Sequence, residues 1–196
     1  MAQDFAPGLH VDLRPQRRQV LTNGTLGMLA FVIAETMMFL GLISAFTLAR
    51  AGAEIWPPPG QPRLPAEATA LTTLALLVSG VFIYRAGRVY RQDPDRARAP
   101  FLLSILLGTF FVIFQGAEWV ALLNQGLTLV SSQHGSFFYL IVGLHGLHAV
   151  GAIAFNWHCY QALCRRELGP SALGAAQVLW LFVVGIWPIL YLRVYL

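Results

Sequence analysis

Five long apolar blocks dominate this chain, each close to the roughly 20 residues a helix needs to span a ~30 Å hydrocarbon layer. They run over residues 24–49, 67–90, 99–123, 135–162 and 172–195. In hydrocarbon every backbone polar group needs a partner inside the protein, so blocks of this length are helices and not open strands. The fold class is therefore all-α, an integral membrane bundle of five transmembrane helices. Composition agrees, because 57% of the residues are apolar and only 11% charged, against about 25% charged in soluble domains.

The connections between the blocks are too short to fold alone, so residues 24–196 form one membrane domain behind an N-terminal segment, 1–23. All thirteen basic residues are arginines. Arg14, Arg17 and Arg18 precede the first block, Arg85, Arg88, Arg91, Arg96 and Arg98 cluster at and after the end of the second, and Arg165 and Arg166 follow the fourth. Five spans put these ten on one face, against Arg50, Arg63 and Arg193 on the other. Because cytoplasmic loops carry the arginine excess, the N-terminus is expected in the cytoplasm and the C-terminus in the periplasm. Loops this short beside apolar spans explain the arginines without nucleic acid, which is not expected as a partner.

The apolar stretch after Arg17-Arg18 is far longer than the roughly 7 to 15 residues of a signal-peptide core, so no cleaved signal is expected. Cys159 and Cys164 fall near the cytoplasmic end of the fourth block. A disulfide is not expected there, and two thiols without further ligands make a poor zinc site.

Ionisable groups at membrane depth cost roughly 2.5 to 3.5 kcal/mol at a helix centre on insertion scales, so each needs a reason. Four stand out: Glu35, Glu118, His145 and His148. Glu35 falls near the middle of the first block, where desolvation favours the neutral acid unless a cation or lipid head group pairs with it. It reads equally as a proton-exchanging or lipid-facing acid and as a neutral carboxyl hydrogen-bonded between helices. Glu118, near the external end of the third block, reads as a snorkelling or capped acid. His145 and His148 share one helical face at i, i+3. That spacing supplies at most two metal ligands and cannot grip a haem from both sides. Interhelical hydrogen bonding in a tight, glycine-notched bundle is the simpler use. Neither a metal site nor a catalytic residue is expected in this chain.

The order of motifs resembles subunit III of haem-copper oxidases, chiefly cytochrome c oxidase. Gly27 to Glu35 is similar to that family's helix with an intramembrane glutamate, and Trp56-Pro57-Pro58-Pro59-Gly60-Gln61-Pro62 to its Trp-Pro-Pro loop. Leu71 to Leu74 with Leu77 to Gly80, then Gln115 to Trp119, follow in the family's order. Gly135 to Phe138 leads to the most specific segment, Gly143-Leu144-His145-Gly146-Leu147-His148. The chain looks like the last five of seven helices, as in short bacterial versions. One departure is plain: the last helix usually carries a His and an Asp where this chain has Gly174 and Gln177. Pro188 is expected to kink that helix and free a carbonyl near Val184.

The resemblance implies an accessory, non-redox subunit in the bacterial cytoplasmic (inner) membrane, packed on oxidase subunits I and II, which carry the haem and copper. Phospholipid and a supporting role in proton uptake and turnover stability are implied too, with Glu35, Glu118, His145 and His148 as lipid- or proton-linked residues. The whole complex would reduce oxygen with electrons from cytochrome c and pump protons. Alternatives are the corresponding subunit of a quinol oxidase or a nitric-oxide-reductase-linked complex. A small proton channel or transporter is a different class, disfavoured because five spans do not halve into repeats.

Overall fold

The computed structural model describes residues 22–195, and the segment before Thr22, with Arg14, Arg17 and Arg18, lies outside them. Five helices follow one another: α1 (Asn23–Ala51), α2 (Ala66–Tyr90), α3 (Arg98–Asn124), α4 (Gln133–Cys164) and α5 (Pro170–Leu190). All are long and apolar enough to cross a membrane. Each block edge read from the sequence falls within a few residues of an observed helix end. α5 continues through Pro188 to Leu190, then widens into a π-helical turn over Tyr191–Tyr195.

The helices are unequal in burial. α5 is the central one, packing against α1, α2 and α4. α1 buries only Thr25, Phe39, Ile43 and Phe46. The last three recur at i, i+4 and i+7, one narrow stripe of an otherwise outward-facing helix. Side chains such as Ile33, Met37 and Leu48 are left exposed, as expected where the surroundings are hydrocarbon.

Between apolar helices in lipid there is little hydrophobic force, so close packing and hydrogen bonds must hold them together. The α2–α5 contact supplies both. On α2, Ala66, Thr73, Gly80 and Gly87 recur every seven residues. Facing them in antiparallel order are Tyr191 of the π turn and Trp187, Val184 and Gln177 of α5. Tyr191 Oη donates to Ala66 O (2.9 Å), Trp187 Nε1 to Thr73 Oγ1 (2.8 Å), and Gln177 Nε2 to Ile83 O (3.0 Å). A Cβ at Gly80 would press on Val184, and one at Gly87 would overlap the Gln177 amide. Trp180 joins this face, its Nε1 donating to Ser79 Oγ (3.1 Å).

The hydroxyls that receive the two indoles are already anchored. Thr73 Oγ1 donates to Thr69 O (2.7 Å) and Ser79 Oγ to Leu76 O (2.5 Å). Each hydroxyl proton is thus spent on its own helix, and the lone pairs are left to accept from the tryptophans. Ser104 Oγ of α3 donates to Ser79 O (2.8 Å), which binds a third helix to the same point.

The loops confirm the alternation of faces. Asp95, between α2 and α3, pairs with Arg98 and with Arg166 beyond α4, each at 2.7 Å. Tyr90 donates to Leu168 O. The second and fourth connections therefore touch at one end of the bundle, as the arginine count required.

Candidate functional site

Glu35 and His148 meet at mid-depth. Each lies near the middle of its helix, and they approach from α1 and α4 until His148 Nε2 is 3.1 Å from Glu35 Oε2. The other ring nitrogen, Nδ1, donates to Leu144 O one turn back (2.8 Å). That bond fixes the tautomer. With Nδ1 donating to that carbonyl, Nε2 is the ring nitrogen left to face the Glu35 carboxyl. The contact is short without the alignment of a linear hydrogen bond, and Oε2 is otherwise buried with no partner. Phe31, Phe39 and Phe182 surround the imidazole at ring distances of 6.4, 5.6 and 6.3 Å. The side chains keep 14% and 18% of their surface exposed, so the pair sits at the rim of the bundle and not in its core.

His145 behaves differently from the expectation of interhelical hydrogen bonding. Residues three apart on a helix point about 60° apart. While His148 turns toward α1, His145 turns toward α3 and α5. There it stacks on Trp187 (4.9 Å, 29°) and stands edge-on to Phe111 (6.5 Å). It is 1% exposed, and neither ring nitrogen has a hydrogen-bond partner. The Gly-Leu-His-Gly-Leu-His segment thus holds one polar contact and one aromatic stack. Replacing His148 with Leu is expected to cost about 1 kcal/mol of bundle stability, one interhelical bond in a bilayer. Thermal melting of the purified chain checks this, and the same substitution at His145 should leave the Glu35 carboxyl infrared band unmoved.

Glu118 is capped, not extended to the surface. Its Oε2 lies 2.9 Å from Thr69 Oγ1 of α2 and accepts from Gln115 Nε2 (3.1 Å). Gln115 also donates to Tyr195 Oη (2.7 Å). The cluster joins α2, α3 and the π turn, while Glu118 Oε1 is buried without a partner. Sequence reading did not find Thr69, Gln115, Tyr195, Trp180 or Trp187. Their spacing held the signal, since the small residues of α2 keep a seven-residue period and the bulky ones of α5 alternate steps of three and four.

The two altered positions of the last helix are contact points. A Cβ at Gly174 would overlap the Thr25 hydroxyl, so glycine lets α1 and α5 close together. Gln177 bonds α2 as described above. Cys159 is buried and Cys164 exposed, both free thiols. Among the described residues, no three His, Cys, Asp or Glu side chains gather as metal ligands would.

Fold and polar groups together define a multi-pass membrane bundle whose intramembrane acids and histidines are engaged with neighbouring helices. Residues 13–196 match the family of cytochrome c oxidase subunit III, and the chain belongs to that family. It is 32% identical over 177 residues to the probable cytochrome c oxidase subunit 3 of Nocardia farcinica, covering 87% of this chain and 86% of that one. Cytochrome c oxidase subunit 3 of Pelomedusa subrufa is 34% identical (90% and 70% covered). That of Synechocystis is 29% identical (87% and 74% covered). The chain is an accessory subunit III of a haem-copper oxidase, in a membrane complex with other oxidase subunits.

Proposed function

We propose that this subunit supports a cytochrome c-fed oxidase by holding the Glu35–His148 contact at the rim of the bundle where lipid meets protein. The observation that carries the reading is the tautomer fixed by Leu144 O, which leaves Nε2 facing Glu35 Oε2 at 3.1 Å. A shallow apolar groove of about 430 Å³ between α1, α4 and α5 lies beside it, lined by Met28, Phe31, Leu147, His148 and Leu179. An acyl chain fits such a groove, so lipid order and the protonation of Glu35 are coupled there. Glu118 and His145 keep structural roles in this reading, away from proton traffic.

In the assembly, haem and copper belong to subunits I and II, and this chain contributes lipid retention, proton supply and turnover stability. The membrane is the bacterial cytoplasmic one, with the arginine-rich loops inside and the π turn toward the periplasm, following the arginine excess. Residues 1–23 form a cytoplasmic segment ahead of a single membrane domain.

Three measurements test this. Affinity purification of the tagged chain should bring down a complex with haem and copper absorption, and its absence would remove the assignment of partners. In the purified complex, Glu35→Ala should leave assembly and initial turnover largely intact while shortening the working life of the oxidase severalfold. An immediate loss of haem reduction would contradict a supporting role. Reconstituted alone, the chain should pass no protons. Flux abolished by Glu35→Gln would make it a channel.

A further inference from the structure

Two buried polar side chains end without partners on the wall of one cavity. His145 is 1% exposed and Gln115 4%, and both line a pocket of about 330 Å³ between α3 and α4. Neither nitrogen of His145 is hydrogen-bonded, and an uncharged imidazole then leaves one donor and one acceptor unspent. The Gln115 amide nitrogen is committed to Glu118 and Tyr195, so its unpaired Oε1 can only accept. The indoles of Trp180 and Trp187, equally buried, find acceptors across the helix contact. These two side chains do not, and they stand beside open space.

Glycine keeps that space open. A Cβ at Gly116 or at Gly143 would meet nothing within 4 Å, whereas at Gly146 it would stand 3.0 Å from the Trp119 ring, which closes one side of the pocket. The walls are largely rings, with Phe111 and Trp187 facing the imidazole and Trp119 beside them. The exposed members of the lining are Leu147 and Val150, apolar side chains on the hydrocarbon side of a membrane-spanning helix. Entry is therefore from the bilayer.

We infer that this cavity binds a bilayer-dissolved phenol of the hydroquinone type, one flat ring bearing a hydroxyl. The volume is at the lower end of the roughly 300 to 1,000 Å³ usual for ligand pockets, which suits a single ring among aromatic walls. A hydroxyl both donates and accepts, so it can take the His145 N–H and give its own hydrogen to Gln115 Oε1. An ether oxygen only accepts, and a bare hydrocarbon ring does neither. A site with unpaired buried polar groups discriminates strongly against an analogue that leaves them unpaired. No arginine and no acid lines the pocket, which leaves a charged head group nothing to pair with. The pocket shares only Leu147 with the groove beside His148. The site needs only this chain, so it stands or falls independently of the oxidase partners and of the Glu35–His148 role.

The test is native mass spectrometry of the delipidated full chain in mild detergent, titrated with para-nonylphenol, its methyl ether or nonylbenzene. The phenol should bind about fivefold more tightly than the ether, the worth of one hydrogen bond in a bilayer, and more tightly again than nonylbenzene. His145→Phe keeps a ring against Trp187 and removes both nitrogens, so phenol and ether should each weaken about fivefold while nonylbenzene is unchanged. Gly143→Leu, or independently Gly116→Leu, grows a side chain into the open space and should abolish phenol binding with helix content unchanged. Should His145→Phe not fold, the His145 imidazole resonances of the unaltered chain should shift on adding the phenol and not on adding nonylbenzene. Equal binding of the three ligands, or unmoved imidazole resonances, would overturn the recognition of the hydroxyl. Phenol binding that survives both glycine substitutions, or no phenol binding at all, would overturn the site.

Discussion

Replacing Trp187 with alanine is expected to destabilise the bundle by about 3 kcal/mol, the lower end of the range for truncating a buried tryptophan. The lower end applies because lipid tails solvate the exposed hydrocarbon of a separated helix, so the loss is one of packing and not of transfer from water. The side chain is fully buried and joins four elements. Its Nε1 reaches Thr73 of α2, and its ring meets Phe111 of α3 and His145 of α4, each at 4.9 Å, and Tyr195 of the π turn at 6.1 Å. Trp187→Phe should separate the components, since it keeps most of the ring contacts and forfeits the indole donor, for about 0.6 to 1.7 kcal/mol. The check is reversible unfolding of the purified chain in mixed detergent. A loss for alanine no larger than that for phenylalanine would mean that the ring contacts contribute little.

The same residue explains why His145 tolerates two unpartnered nitrogens at 1% exposure. A buried polar group without a hydrogen bond costs roughly 1 to 3 kcal/mol in proteins, and the stack on Trp187 covers one face of the imidazole without supplying an acceptor. The offset comes from neighbours that bond well: the indole to Thr73, and Gln115 to Tyr195. Losing Trp187 should therefore loosen His145 as well, and its imidazole resonances should broaden in the alanine variant but not in the phenylalanine one.

The five helices were legible because block length and apolarity are local properties, and the bilayer imposes them on each segment separately. Five alternating spans also set the second and fourth connections at one end, where Asp95 meets Arg166. Glu35 and His148 were each visible as costly residues, but their meeting was not. It depends on the relative height and rotation of α1 and α4, since Glu35 and His148 stand 113 residues apart in sequence. His145 was assigned a hydrogen bond from its face alone, although a face does not reveal which neighbour it meets. The seven-residue period of small residues in α2 was present in the sequence throughout. Ala66, Thr73, Gly80 and Gly87 are unremarkable singly, and gain meaning only beside the three-four steps of α5.

Gly108→Leu is expected to be the most damaging single substitution in the bundle, costing more than the roughly 1 to 3 kcal/mol typical of overpacking. A Cβ at this position of α3 would overlap the six-membered ring of Trp180. At Gly87 the obstructing group is a glutamine amide at the end of a flexible chain, which can swing away. Trp180 has no such freedom: it is fully buried, and its Nε1 is held by Ser79 Oγ, which also donates to Leu76 O. Ser104, one turn before Gly108, donates to Ser79 O, so α3 cannot retreat without breaking that bond. Adding a side chain must therefore expel the indole or separate α3 from α2. Even Gly108→Ala should lower the yield of folded chain, and Gly80→Ala, where only a Val184 methyl must shift, should be milder. Combining Gly108→Ala with Trp180→Leu should recover part of the stability, because the smaller side chain clears the overlap. Folded yield and detergent melting of the four variants decide it, and a double variant no better than the sum of its parts would show that the clash is not the cause.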